Sequence, residues 1–536
     1  MLPIARAAAI GALLAAAVAA LYATRLGFAP AYLMHDESQF ALQAQAIAAT
    51  GRDLSGRRLP VYFTEPEFPA GRDPIIIYAT AVVLEALPLS ESSARLATAL
   101  TGVLNVVLVF LVGRRVFKSD LLGVLAAILM ALMPAHFIRS RLALSPLYSI
   151  PFILAWVLWL ARFLDRPDRR TLAVAAAWLG LGVYTYLACM IMMPIYLLLT
   201  AWIAFRHPIL SEGGFDEAEV SRVEGPAPGW RAALLVGFIV PLVPMAAWYA
   251  THPERYAQIV EAYKLYSADA SPVEGAARLA AYDILRLRLS LLWSFFSPDF
   301  LFISGDSSLI NSTRQIGLFP LAFAVLIPAG LYQLARHGGD MGKVILTGFV
   351  TAPLASVVSG AIEMNRIMFA LPFGVLTAAF GARAMLGARH RVWRWVALAV
   401  LASVPLQFAG FYRDYMGRYR AESSFWFGGN LRAALTDAIR MEGQQTRPVY
   451  VSRTIPFANR YWRFYTLVEQ RGDLTAQAVF YEPARLDAAA VQPGSHLVCA
   501  LRDGGCEPQA SSGMWTRVST AVEPDGTESF AVFERR

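Results

Sequence analysis

The chain has 536 residues, 57% of them hydrophobic and only 16% charged, against a charged fraction of about a quarter in soluble domains; with a mean hydropathy of +0.47 this excludes an ordinary soluble globular protein and predicts a polytopic membrane protein. The net charge of +8 does not point to nucleic acid, because the arginines recur between apolar segments, where the positive-inside rule places them. Three cysteines are too few for a disulfide scaffold.

The first apolar run, Ala7 to Ala23, follows Arg6 and is also readable as a secretory signal ending at Ala20-Leu21-Tyr22-Ala23. It extends through Phe28 with only Arg25 breaking it, long enough for about 30 Å of hydrocarbon at 1.5 Å per residue, and is taken as the first span. Met34-His35-Asp36-Glu37-Ser38-Gln39 then sets two adjacent acids where the chain leaves the bilayer. Phe40, Ala44, Ile47 and Ala48 fall at helical spacing and Gly51 closes the run, predicting an amphipathic helix at the membrane surface. Pro60, Pro66, Pro69 and Gly71 predict a loop, and Pro74 to Leu87 a short juxtamembrane helix.

The second span runs from Arg95 to Val112, and Gly113-Arg114-Arg115-Val116-Phe117-Lys118 marks its cytoplasmic end. The first loop is therefore expected outside. Further spans are predicted at Leu121–Ala135, Leu147–Leu160, Leu172–Leu187, Ile191–Phe205, Ala232–Tyr249, Leu318–Leu334, Val344–Val358, Ile367–Leu386 and Val396–Phe411, about eleven in all by the hydropathy criterion. The stretch 207–229 reads as a cytoplasmic loop. The fold class expected is an all-α polytopic membrane domain over 1–411, with external loops at about 28–93 and 251–317, followed by a small extracytoplasmic α/β domain over 412–536. In that domain Asn430 can cap a helix with Leu431, Leu435, Ala438 and Ile439 on its apolar face. Pro448–Ser452, Ala478–Tyr481, His496–Leu501 and Phe530–Phe533 read as strands, and Phe457–Val468 as a helix. Cys499 and Cys506 flank Asp503-Gly504-Gly505, a turn that suits a hairpin disulfide in an oxidising compartment.

The order of these pieces resembles the GT-C glycosyltransferases of the family 39 kind, the group containing protein O-mannosyltransferases and the aminoarabinose transferases of lipid A. The residues that carry the resemblance are the Asp36-Glu37 pair, Asp73-Pro74-Ile75-Ile76-Ile77-Tyr78, Ala94-Arg95-Leu96-Ala97-Thr98-Ala99-Leu100, Ser140-Arg141, Tyr184-Thr185-Tyr186, Phe296-Ser297-Pro298-Asp299-Phe300-Leu301-Phe302 with Gly305-Asp306, and Asn365-Arg366 before Leu371-Pro372. It implies a sugar transferred from a polyprenyl-phosphate donor to a lipid, glycan or protein acceptor at the outer face of a bacterial inner membrane, with the N-terminus cytoplasmic, the C-terminal domain periplasmic and the first-loop Asp as base. A transporter or flippase of a lipid-linked sugar is the second reading, but the paired halves usual in transporters are not visible.

Inverting displacement at an anomeric carbon needs one base, whereas a glycosidase needs two carboxylates because its leaving group must be protonated. Asp36 is the expected base and Glu37 a neighbouring contact or alternative base. Asp36 is also readable as a helix cap, with Gln39 three residues on. A phosphate leaving group needs cations, and the forked guanidinium fits it. The candidates are Arg366, Arg314, Arg72 and Arg288, with Arg286 on another face of the same predicted helix as Arg288. Arg366 stands out because it opens an apolar span on the external side, where topology gives no reason for a cation. Tyr78, Tyr184 and Tyr186 are candidates for a sugar or lipid groove. Two departures from the family pattern are Asp73, where the aminoarabinose-transferase branch has Lys, and Leu144-Ser145, where relatives often carry an acid; the second leaves little basis for a metal site, and no cofactor is expected.

Overall fold

Backbone polar groups in hydrocarbon must be satisfied within the segment, and the apolar runs accordingly form helices. The computed structural model describes residues 2–65, 68–206, 229–262, 270–279, 281–443, 447–504, 506 and 513–536; the expected loop at 207–229 lies almost wholly outside these residues, as does Pro66. Among the described residues seven helices are long and apolar enough to cross a membrane: Ala5–Ala23, Glu91–Phe117, Ser145–Asp165, Cys189–Arg206, Trp230–Thr251, Gly339–Ser359 and Arg391–Met416. An eighth exists if Asp120–Ala131 and Pro134–Ser140, bent by 65° at their junction, count as one span. Pro134 opens the second of these helices, where its missing N–H costs nothing.

The expectation of about eleven spans is not confirmed. Helices do form at Arg169–Gly182, Phe323–His337 and Ala370–Leu386, but they have 14, 15 and 17 residues, about 21 to 26 Å at 1.5 Å per residue, short of the hydrocarbon thickness. Ala370–Leu386 is buried without a break from Ala370 to Ala382. It is apolar all round because protein surrounds it. Its approach to Phe323–His337 is set by glycines: a methyl at Gly381 would fall on the Leu326 carbonyl, and one at Gly330 on that of Thr377.

Four helices frame the first loop: α1 (Leu2–Ala23), α2 (His35–Thr50), α3 (Pro74–Ala86) and α4 (Glu91–Phe117). α2 ends at Gly51, whose φ of 67° is the left-handed value expected of a terminal glycine. Its N-terminal cap is Met34 and not Asp36: the Met34 amide donates to Glu37 Oε2 at 3.0 Å. Glu37 and Arg95 of α4 are both fully buried and paired twice, Nε to Oε1 at 2.9 Å and Nη2 to Oε2 at 3.0 Å. Glu37 Oε1 also accepts the Ala143 amide at 2.8 Å, and Arg95 donates to the carbonyls of Leu26, Pro30 and Tyr32. Arg141, also fully buried, donates to the carbonyls of Tyr22, Thr24, Arg25 and Ala29, satisfying the orphan acceptors at the end of α1. Two arginines thus fix the turn from span to surface helix. A two-stranded sheet, β1 (Phe63–Glu65) with β2 (Phe68–Arg72), leads into α3.

The last long helix continues past the expected Phe411 to Met416. Beyond it a five-stranded sheet has the order β4-β3-β5-β7-β6, comprising β3 (Val449–Ser452), β4 (Ala478–Tyr481), β5 (His496–Ala500), β6 (Trp515–Val522) and β7 (Glu528–Arg535). β3 is parallel to β4 and β5, while β5–β7–β6 is antiparallel. β6 has no counterpart in the sequence reading because it is an edge strand with most of its residues exposed or half-buried, so its apolar alternation is weak. Asn430 caps Leu431–Met441 by accepting the Ala433 amide at 3.2 Å.

Removing Arg95 strands a buried carboxylate, and Arg95→Ala is expected to cost about 3–5 kcal/mol, read as a lower melting temperature of detergent-purified protein. Gly381→Val is expected to lower it as well, whereas Gly410→Val, with nothing within 4 Å of its Cβ position, is expected to leave it near wild type; equal melting of all four proteins would contradict this packing.

Candidate active site

The first loop, the bend after Pro134, the loop around Asp306 and the turn Met364–Arg366 meet around a cavity of about 590 Å³. Its charged lining consists of Asp36, Arg72, Asp73, Arg139, Asp306, Glu363 and Arg366, with Tyr62, Tyr186 and Tyr249 among its aromatic walls. Asp36 is reached from α2, whose first turn is aimed by the Glu37–Arg95 pair one residue away. Its Oδ1 pairs with Arg72 Nη1 at 2.8 Å, so β2 determines where the carboxylate points. His35, beside it at 3.6 Å, stacks on Phe457 of the C-terminal region with ring centroids 4.2 Å apart. Burial lowers the His35 pKa, although the Asp36 charge pulls it the other way.

Asp73 follows Arg72 at the start of α3. Burial pushes its carboxyl up to about 7; a hydrogen bond with Ser145 and the Arg72 charge oppose this, and the Asp36 charge adds to it. The carboxyl is half-buried at the cavity wall.

The cations are held by a relay of polar groups. Arg139 is 1% exposed; its Nη1 donates to Asn311 Oδ1 at 2.9 Å, Asn311 Nδ2 donates to Asp306 Oδ2 at 2.9 Å, and that oxygen also accepts the Met364 amide at 2.8 Å. The Nε and Nη2 of Arg139 are buried without a protein acceptor, an arrangement that costs free energy unless another acceptor is supplied. Arg366 closes the turn anchored by that Asp306 bond. It donates to Ser359 Oγ at 2.8 Å and lies 3.5 Å from Glu363. A second cavity of about 490 Å³ adjoins the first and is lined almost wholly by apolar side chains between Val183 and Pro194, Phe238 and Tyr249, and Ala355 and Val358. Arg366, Tyr186 and Tyr249 belong to both cavities, so a guanidinium stands where the polar and apolar spaces meet.

Of the sequence candidates, Asp36, Arg72, Arg366 and Tyr186 come together here. Glu37 does not: sealed by Arg95 and two backbone amides, it has no spare face for a substrate, so its assignment as a catalytic group is corrected to that of an anchor. Arg314 adopts a left-handed φ of 58°, donates to the Ser307 carbonyl at 2.6 Å and lies over Trp426 outside the cavity. Arg288 donates to the carbonyls of Val357 and Val358, capping a helix end, and Arg286 is exposed. Tyr78 donates to the Pro60 carbonyl at 2.8 Å and Tyr184 to that of Pro241 at 2.7 Å; both brace loops or broken spans and line neither cavity. Cys499 and Cys506 are disulfide-bonded, with Cα atoms 5.5 Å apart. Among the described residues no three His, Cys, Asp or Glu side chains are grouped to hold a metal ion. Sequence reasoning passed over Arg139 and gave Asp73 no role. Arg139 carries the signal that identified Arg366, a cation at a span end where the positive-inside rule applied to the sequence expects none.

Residues 70–214 match the family described as dolichyl-phosphate-mannose-protein mannosyltransferase. No curated protein matches the sequence. Among solved structures, ArnT from Cupriavidus metallidurans bound to undecaprenyl phosphate is 16% identical, with 98% of this chain and 97% of that one covered and a TM-score of 0.56. Its apo form gives 15% identity, the same coverage and a TM-score of 0.57. The Archaeoglobus fulgidus oligosaccharyltransferase in complex with zinc and sulfate is 14% identical, with 98% of this chain and 73% of that one covered and a TM-score of 0.50. At these identities the structures speak to fold. Over nearly its whole length this chain therefore shares the fold of the ArnT structures, and within it residues 70–214 resemble the mannosyltransferase family.

Proposed function

We propose that the protein transfers a sugar from a polyprenyl-phosphate donor to a hydroxyl of a glycan, lipid or protein acceptor, with inversion, at the outer face of a bacterial inner membrane; the N-terminus is then cytoplasmic and the C-terminal sheet periplasmic. The observation that carries this reading is the pair of adjoining cavities with Arg366 at their junction. An amphiphile with a long apolar tail and an anionic head matches that division. Its tail gains roughly 0.8 kcal/mol for each methylene taken from water, and its phosphate meets Arg366 with Arg139 nearby, whose buried N–H groups lack acceptors. The bound undecaprenyl phosphate of the Cupriavidus metallidurans structure supports the same donor class.

In this mechanism Asp36 removes the acceptor's proton as its oxygen bonds to the anomeric carbon. The bond from that carbon to the phosphate oxygen breaks, and both electrons leave with the phosphate. Arg72 orients Asp36, while Arg366 and Arg139 stabilise the charge that gathers on the departing group. Guanidinium groups supply the positive charge, so the reaction needs no divalent metal. A carrier of lipid-linked sugars would share the apolar groove but would have no use for an oriented carboxylate beside the phosphate site.

Purified protein given a radiolabelled polyprenyl-phosphate sugar in detergent is expected to transfer the label without a sealed membrane and in the presence of EDTA. Asp36→Asn is expected to lose about 10²–10⁴-fold in turnover, the usual worth of a general base, while still binding donor. Arg366→Ala is expected to weaken donor binding itself. Full turnover by Asp36→Asn would overturn the mechanism, and loss of activity in EDTA would overturn its metal independence.

A further inference from the structure

Asp73 occupies the cap position of α3, with φ −64° and ψ 124°, yet its side chain makes no capping hydrogen bond. It lines the cavity instead. The groups around it come from every neighbouring element. Arg72 adjoins it in sequence but is paired with Asp36, and Ser145 offers a hydroxyl. Tyr62, Tyr249 and Cys189 lie close enough to feel its charge. Arg139, Arg366, Glu363 and Asp306 share the cavity wall, and His35 stands beyond Asp36.

A donor phosphate brought into this cavity is an anion in an enclosed space already lined by four carboxyl groups, of which Asp306 accepts from Asn311 and the Met364 amide and Glu363 lies beside Arg366. Like charges held close in such a space do not all stay ionised, and the group that gives way is the one already nearest to protonation. Asp36 has a guanidinium 2.8 Å away; Asp73 has burial against it, and its carboxyl already titrates at about 7. Protonated, Asp73 changes from an acceptor into an O–H donor.

We propose that Asp73 holds the donor in its protonated form, donating a hydrogen bond to the phosphate, so that binding a polyprenyl-phosphate sugar takes up one proton at this carboxyl. The inference rests on the reading that the donor phosphate occupies this cavity. The sign of the pH dependence follows from linkage: binding raises the Asp73 pKa, so the stabilisation is complete below about 7 and is lost as pH rises through the higher bound value, by up to about tenfold in affinity per pH unit. The donor adds no titration of its own in this range, because a phosphodiester lacks the second ionisation, near pH 6, of a monoester.

The test is the dissociation constant of a polyprenyl methyl phosphodiester, which cannot be transferred, measured from about pH 6 to about pH 9 through tryptophan fluorescence. Wild type is expected to bind with constant affinity at the acid end and progressively more weakly above about pH 7. Asp73→Asn, which can donate at any pH, and Asp73→Ser, a second variant in case the first folds poorly, are both expected to give pH-independent binding over that range. Asp36→Asn, which removes a charge that raises the Asp73 carboxyl, is expected to keep a fall in affinity with rising pH but to move its onset to lower pH, and the matching polyprenol without phosphate is expected to show no pH dependence. A flat wild-type profile, or the wild-type slope persisting in the Asp73 variants, would overturn the inference while leaving the donor site standing. Failure of folded wild type to bind the phosphodiester at any pH would instead overturn the donor reading beneath it.

Discussion

The structure depends on one buried ion pair. Glu37 and Arg95, both without solvent exposure, join the surface helix to the second span, and every polar atom they present inward is matched by a backbone partner or by the other side chain. Such a pair is tolerable in the interior only because its hydrogen-bonding capacity is met. Its consequence lies one residue away: with Glu37 fixed, the preceding residue, Asp36, lies about 100° around the helix and lines the cavity. The adjacent acids therefore differ in their surroundings: one is a structural tie, and the other lines the cavity.

The cavity repeats this economy. Asp306 uses one oxygen to hold both Asn311 and the Met364 amide, and so connects the side chain that supports Arg139 with the turn that carries Arg366. Loss of that carboxylate would disturb two cations that are far apart in sequence. The same wall opens into a space lined almost entirely by apolar groups, and the change from polar to apolar lining occurs at Arg366. The guanidinium thus marks the division between a charged space and an apolar one.

The C-terminal region bears on the site through few contacts. Phe457 stacks on His35, Trp426 forms part of the cavity wall, and Glu91 at the start of α4 is held by Arg432 at 3.0 Å and Tyr465 at 2.7 Å. These ties place aromatic side chains of the C-terminal region beside Asp36 and at the cavity wall.

Composition and hydropathy by themselves determined that this is a helical membrane protein, because apolar runs in hydrocarbon have one economical way of satisfying their backbone. They also located α2, α3, the Asn430 cap and four of the five C-terminal strands, each marked by local chemistry: a closing glycine, a leading proline, a capping side chain, or alternating apolar residues. Arg366 stood out in the sequence as a cation at the head of an apolar span and Asp36 through the acid pair that carries the family resemblance, and the fold brings both to the cavity. Span number was not legible, because a run such as Ala370–Leu386 has the same composition whether lipid or protein surrounds it, and only packing distinguishes the two. Nor could the sequence separate Asp36 from Glu37, reject Arg314 and Arg288, or give Asp73 and Arg139 a place in the cavity. Those outcomes turn on which partner reaches each side chain from distant parts of the chain, and that is fixed only when the loops fold over one another.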